Sequence, residues 1–189
     1  MSLEIRPLGL DGVLEVTPTR FGDHRGFFTE AWNAERFESH GIAENWCQEN
    51  HSFSADPFTL RGLHFQTPPF AQSKLVRVIT GEVFDVAVDI RVGSPTFGDW
   101  VGVTLSAAVG NQILVPKGFA HGFVTLTPDV HMIYKVDAAY APDHDRSIAW
   151  NDESIGISWP LEGAEPKLSE KDRAAKRLGD VDTGFVFGA

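Results

Sequence analysis

The sequence predicts an all-β protein, a sandwich or barrel of short strands. Three observations carry that expectation. Short apolar runs follow one another closely from Leu60 to Val136. One of them, Glu82 to Ile90, alternates cleanly, with Phe84, Val86, Val88 and Ile90 on one face and Val83, Asp85, Ala87 and Asp89 on the other. Gly, Pro and Asn turns separate the runs, and few helical patterns interrupt them, which argues against a doubly wound α/β arrangement.

Taken in order, Gly12 to Thr17 reads as a first strand. Arg20 to Gly26 reads as a polar turn leading to a second strand, Phe27 to Trp32. Asn33 can cap a short helix from Ala34 to Ser39, which Gly41 ends. After Trp46, Gln48, Asn50 and Ser52 fall at every second place and so share one face. Strands follow at Leu60–Gln66, Lys74–Thr80, Glu82–Ile90, Trp100–Ser106, Gln112–Val115, Gly122–Leu126 and His131–Val136. Near the C-terminus Ser169 can cap a helix running to about Leu178. The tail from Gly184 to Gly188 is apolar and glycine-rich and has no functional reading of its own.

Composition narrows the function classes. The chain has 189 residues, read as one domain, and 42% are apolar, enough for a sizeable core. A formal charge of −10 argues against a nucleic-acid partner, so any anionic ligand needs a local cationic cluster. Cys47 is the single cysteine, which excludes an internal disulfide and fits a reducing compartment. Free cysteine is usually a small core hydrophobe, and Cys47 is read as buried and inert. The first ten residues lack the pattern of a signal peptide, and no apolar run approaches about 18 residues. The expectation is a soluble, cytoplasmic protein without a membrane partner.

The residues that could carry chemistry start at Arg61-Gly62-Leu63-His64-Phe65-Gln66. A glycine at 62 allows a bulge that re-aims Arg61 or His64. Imidazole as a residue type can take a proton at working pH, so His64 could act as a base, given a carboxylate to fix its tautomer. Asp85, Asp89, Asp152 and Asp172 are the candidates. Tyr134 could carry a proton on the opposite side of a ligand, and Lys74 could stabilise an oxyanion. Arg25, Arg61, Lys74, His121 and Lys171 would suit a diphosphate if they converged. His121 follows Pro116-Lys117-Gly118 and sits between small residues that admit a close ligand. A metal site is not expected, because Gln66 stands where a His-x-His pair would put its second ligand.

These stretches together resemble the dTDP-4-dehydrorhamnose 3,5-epimerase family, sugar-nucleotide enzymes with a cupin-type jelly roll. The resemblance spans about Arg20 to Asp172 and rests on FGDHRGFFTE (21–30), QENHS (48–52), LRGLHFQ (60–66), KLVRV (74–78), GEVFDVAVDIR (81–91), SPTFGDWVGV (94–103), PKGFAHGFVTL (116–126), YKVDAAYAP (134–142), WNDESIGISWP (150–160) and LSEKD (168–172). It implies a cupin-type jelly-roll barrel with an N-terminal strand extension and short helices near both termini. It also implies a cofactor-free epimerase acting on dTDP-4-dehydro-6-deoxy-D-glucose through an enolate. His64 is the implied base, Asp172 its orienting partner, Tyr134 the acid, and Lys74 the stabiliser of the enolate oxygen, with Asp85 holding Lys74. Arg25, Glu30, Gln48, Glu49, Asn50, Arg61, His121 and Lys171 are implied nucleotide contacts, and Tyr140 matches an aromatic that stacks on thymine. Asp145 falls where the family pattern often has Glu. The family is dimeric, with residues near the N-terminal strands reaching the other subunit's pocket. Within enzymes the alternatives are a relative that inverts C3 or C5 alone and a metal-dependent cupin oxygenase or isomerase; outside them it is a cupin that only binds a sugar nucleotide.

Overall fold

The computed structural model describes residues 2–188. The strands in chain order are β1 (Leu3–Pro7), β2 (Leu14–Pro18), β3 (Arg20–Asp23), β4 (Gly26–Thr29), β5 (Gln48–Ser54), β6 (Leu60–Gln66) and β7 (Lys74–Thr80). They continue as β8 (Glu82–Asp89), β9 (Trp100–Ser106), β10 (Gln112–Val115), β11 (Phe119–Thr125), β12 (Val130–Val136) and β13 (Asp145–Ser147). The two short helices are α1 (Ala34–Glu38) and α2 (Glu170–Arg173).

All strand pairs are antiparallel. A six-stranded sheet has the order β1-β2-β10-β7-β12-β5, a five-stranded sheet the order β13-β6-β11-β8-β9, and β3 and β4 form a separate hairpin. Neither large sheet closes on itself; they face each other across a shared core, as in the cupin-type jelly roll expected. Val76, Val78, Ile113 and Met132 enter that core from the six-stranded sheet, and Val83, Ala87, Leu105 and Phe123 from the other.

The alternation read in β8 decides how the five-stranded sheet is covered. Val83 and Ala87 point into the shared core, whereas Phe84, Val86, Val88 and Ile90 point out. The outward face is not left wet. Ile148, Ile155, Leu178 and Phe185 from the C-terminal segment pack against it, so Phe185 of the apolar tail helps cover this sheet while Val186 and Phe187 stay exposed. Its strands therefore read as apolar on both faces.

The six-stranded sheet is covered differently. Its second face carries Val16, Leu75 and Leu114, against which Phe37 of α1, Ile42 and Trp46 pack. A five-residue helix is too short to persist alone. Asn33 accepts a hydrogen bond from the Arg36 amide, and burial of Phe37 adds about 1.5–3 kcal/mol.

Four expectations need correction. β1 was not foreseen; five residues give too few alternations to separate a strand from a loop. Arg20 to Asp23 is a strand paired with β4, so the polar turn is only its tip. The C-terminal helix stops at Arg173, because Ala174 leaves helical geometry and the chain bridges instead from Lys176 to Ile148. Cys47 is exposed; its amide donates to the Val136 carbonyl at 2.9 Å while its side chain faces out. Among the described residues, no helix is long and apolar enough to cross a membrane.

Candidate active site

The site starts with an irregularity in β6. Residues 61 and 64 would lie on opposite faces of a regular strand. Here the pairing of β11 with β6 shifts register between His121 and Phe123, opposite Gly62. Gly62 has a φ of +124°, and a Cβ there would stand 2.6 Å from the Gly122 Cα and 2.9 Å from the His121 carbonyl oxygen. Only glycine allows that approach. As a result Arg61 and His64 both border one cavity of about 470 Å³ between the two sheets, while Leu63 and Phe65 are buried in the outer core.

His64 meets Asp172 at 2.5 Å, Nε2 to Oδ1. A carboxylate only accepts, so the proton sits on Nε2 and the neutral ring presents Nδ1 as its basic nitrogen. Asp172 comes from α2, 108 residues downstream. Ser169 fixes it twice: its hydroxyl donates to Asp172 Oδ2 at 2.7 Å and accepts from the Asp172 amide at 3.1 Å. Burial pushes the Asp172 carboxyl up, but the hydrogen bonds from His64, Ser169 and the Gly62 backbone together hold it below the usual carboxylate value. The other candidate carboxylates are committed elsewhere. Asp89 takes Arg91, Ser94 and Thr96, and Asp152 takes Ser154 and the Leu178 amide.

Directly across from His64 in the sheet stands His121. Its Nε2 lies 2.9 and 3.0 Å from the two oxygens of Asp85 on β8. Burial lowers the imidazole's pKa more than Asp85 raises it, so His121 is held neutral. The Asp85 carboxylate was expected to hold Lys74. Its hydrogen-bonding partner is His121 instead, and Lys74 senses its charge without an ion pair to it.

Lys74 opens β7 and reaches in from the six-stranded sheet, its Nζ 3.4 Å from the His64 carbonyl oxygen. Burial brings its pKa down to about 8, against the pull of Asp85 and Asp145. Tyr134, on the neighbouring β12, borders the cavity from the sheet opposite His64. Burial raises its phenol, so it stays protonated. Ser52 and Met132 stand on this wall, and Phe123 of β11 lines the cavity from the sheet of His64. Ser52 was read on the face of Asn50, whereas Met132 and Phe123 were not singled out from sequence, yet each stands two residues from a flagged one, Tyr134 and His121, on the same face of its strand.

A second groove of about 300 Å³ shares His64, Lys74 and Tyr134 with the first and extends it outward. Gln48, Asn50, Tyr140, Asp145 and Lys171 border it. Gln48 donates to Asn50 at 2.8 Å, the Tyr140 hydroxyl donates to Asp145 at 3.2 Å, and Lys171 forms an ion pair with Asp145. Arg61 donates to Ser54 and to the Phe53 carbonyl from the rim of the inner cavity.

Three expected residues lie elsewhere. Arg25 is exposed at the hairpin tip, 2.5 Å from Asp23. Glu30 pairs with Arg36 at 2.6 Å and Glu49 with Lys135 at 2.7 Å. Glu30 and Glu49 border a separate cleft of about 350 Å³ with Trp32 and Arg77. Among the described residues, no three His, Cys, Asp or Glu side chains are grouped to hold a metal ion.

The arrangement is thus a base with a fixed tautomer, a protonated phenol on the opposite sheet and a perturbed ammonium bordering the same cavity. The sequence model of one family, dTDP-4-dehydrorhamnose 3,5-epimerase, matches residues 7–180. The dTDP-4-dehydrorhamnose 3,5-epimerase of Pseudomonas aeruginosa is 51% identical over 176 residues, 93% of this chain and 96% of that one. The enzyme of the same name from Salmonella typhimurium is 54% identical over 167 residues, 88% of this chain and 90% of its own. A crystal structure of dTDP-6-deoxy-D-glucose-3,5-epimerase from Legionella pneumophila, in complex with dTDP-4-keto-L-rhamnose, superposes with a TM-score of 0.94 at 44% identity, covering 100% of both chains.

Proposed function

The chain belongs to the dTDP-4-dehydrorhamnose 3,5-epimerase family, and from that premise we propose how its own residues perform the reaction. The enzyme is an isomerase that inverts C3 and C5 of dTDP-4-dehydro-6-deoxy-D-glucose to give dTDP-4-dehydro-L-rhamnose. The C4 ketone acidifies the hydrogens on both neighbouring carbons. His64 Nδ1 takes a proton from one face of the ring, and the electron pair moves into the C3–C4 or C4–C5 bond to give an enolate. The Lys74 ammonium stabilises the enolate oxygen. Tyr134 returns a proton to the carbon from the opposite face, so the configuration inverts. The steps are redox-neutral, and Asp172 keeps the imidazole in the required tautomer and stabilises it once protonated.

The observation that carries this reading is the placement of His64 and Tyr134 on opposing sheets around one cavity, with Lys74 reaching the same space. His121, held neutral beside His64, contacts the sugar end of the substrate. Arg61 and Lys171 take the diphosphate, while Gln48, Asn50 and Tyr140 take the nucleoside along the outer groove, with Asp145 setting Lys171 and Tyr140. Arg25, Glu30 and Glu49 lie outside this cavity, which supports a homodimer in which they serve the second copy's nucleotide. A nucleotide-sugar substrate and a single free cysteine fit a cytoplasmic setting.

Proton NMR in deuterium oxide, run without any downstream reductase, tests the reaction. Exchange and inversion at both C3 and C5 is the expected result. Exchange confined to one carbon would make the protein a mono-epimerase.

A further inference from the structure

We propose that Gln66 and Gln72, together with Gln48, form a cradle that sets the segment from Ala138 to Ala141 and thereby presents Tyr140 to the nucleotide base. The segment leaves β12 after Val136 and crosses from one sheet toward the other at the mouth of the site, where it has no strand partner. Backbone groups without a ladder need other partners. Here side-chain amides supply them. Gln72 donates to the Ala138 carbonyl at 2.8 Å. Gln66 donates to the Ala139 carbonyl at 3.2 Å and accepts from the Ala141 amide at 2.8 Å. Gln48 accepts from the Tyr140 amide at 3.2 Å.

The three glutamines come from three places: β5 of one sheet, the end of β6 in the other, and the connection between β6 and β7. The segment is therefore referenced to both sheets at once. Gln66 is 3% exposed and also donates to the Phe70 carbonyl at 2.7 Å. Two carbonyls on its nitrogen and one amide on its oxygen fix the orientation of the side chain. Gln66 stands two residues after His64 on the same strand, so the cradle ties the base-contacting loop to the strand that carries the proposed base catalyst. Tyr140 itself is 57% exposed and has little packing to place it. A ring held only by its own contacts would lose rotational freedom on stacking; a fixed backbone reduces that loss.

Gln66 and Gln72 are positioning residues: they act through the backbone of Tyr140. The proposal rests on the reading of Tyr140 as the base contact, and the test separates the two. Binding of dTDP by calorimetry and steady-state kinetics are measured for Tyr140→Ala, Gln72→Ala, the isosteric Gln66→Glu, and each glutamine variant combined with Tyr140→Ala. Gln66→Glu turns a donor toward two carbonyls into an acceptor. Each single glutamine variant is expected to weaken dTDP and raise KM about tenfold with kcat within about threefold, and to add nothing further in the Tyr140→Ala background. Gln72 is half-buried, so Gln72→Ala decides the matter even where Gln66→Glu does not fold. If Tyr140→Ala weakens dTDP but Gln72→Ala does not, or if the two losses add, the cradle is overturned and the reading of Tyr140 stands. Unchanged dTDP affinity in Tyr140→Ala overturns both.

Discussion

Two histidine–aspartate pairs stand side by side in this molecule. His64–Asp172 links β6 to the distant C-terminal segment, while His121–Asp85 links two adjacent strands of one sheet. The histidines are register partners, yet the side chain of His64 is 30% exposed and that of His121 is 8% exposed. The same two functional groups therefore sit in different surroundings. His121 lies deep, holds both oxygens of its aspartate and stays neutral. His64 borders the cavity, with Nε2 engaged by Asp172. Depth in the sheet, rather than residue type, separates the two imidazoles, one a buried wall and the other the base of the proposed mechanism.

The largest expected effect comes from removing the nitrogen of the proposed base. His64→Gln is expected to lower kcat by about 10²–10⁴-fold while leaving the melting temperature near that of the parent. Turnover within tenfold of the parent would erase the distinction between the pairs.

Removing the aspartates should split the pairs by kind of loss. Asp85→Ala leaves a buried imidazole N–H without its acceptor and should cost about 1–3 kcal/mol of stability in denaturant unfolding. Asp172→Ala should instead show first in kcat, since His64 retains access to water. Equal stability losses would mean that both pairs are structural.

pH sharpens the comparison. Above about pH 8 Lys74 loses its proton, so turnover should fall on the basic side while Tyr134, raised above its ordinary value, remains an acid. Rates measured from pH 6 to 10 check this, and Lys74→Arg should move that limb upward. For stability the His121 pair behaves in the opposite sense to a paired cation. Its folded pKa lies below the ordinary 6.5, so the unfolded chain binds the proton first as pH falls. Stability should be full above pH 6.5 and decline below it, and His121→Gln should flatten that decline. The lowered pKa of Asp172 contributes stability above its ordinary 3.8, lost as pH falls further.

The smallest effect belongs to the hairpin. Arg25→Ala removes an exposed side chain paired with Asp23, so stability should hardly change. If the hairpin serves a second copy's nucleotide, KM should rise a few-fold with kcat unchanged.

Much of the fold was legible because β-sheets write themselves into period-two patterns. The two faces of β8, the shared face of Gln48, Asn50 and Ser52, and the caps at Asn33 and Ser169 could all be read locally. Errors gathered where local signals are short or balanced. Five residues could not announce β1, a helix with good propensity to Leu178 was cut at Arg173 by a bridge to Ile148, and Cys47 was exposed against the habit of its residue type.

By itself the sequence determined the chemical inventory: which side chains could move a proton, how the two faces of β8 divide, and which glycine would permit a bulge. The tertiary structure alone decided who meets whom. Asp172 rather than Asp89 or Asp152 reaches His64, Asp85 turns to His121 rather than Lys74, and Arg25, Glu30 and Glu49 stay outside the cavity. The physical reason is that local pattern records the period and burial of a segment. The pairing of groups many residues apart is set by how whole sheets pack and by which strand stands next to which.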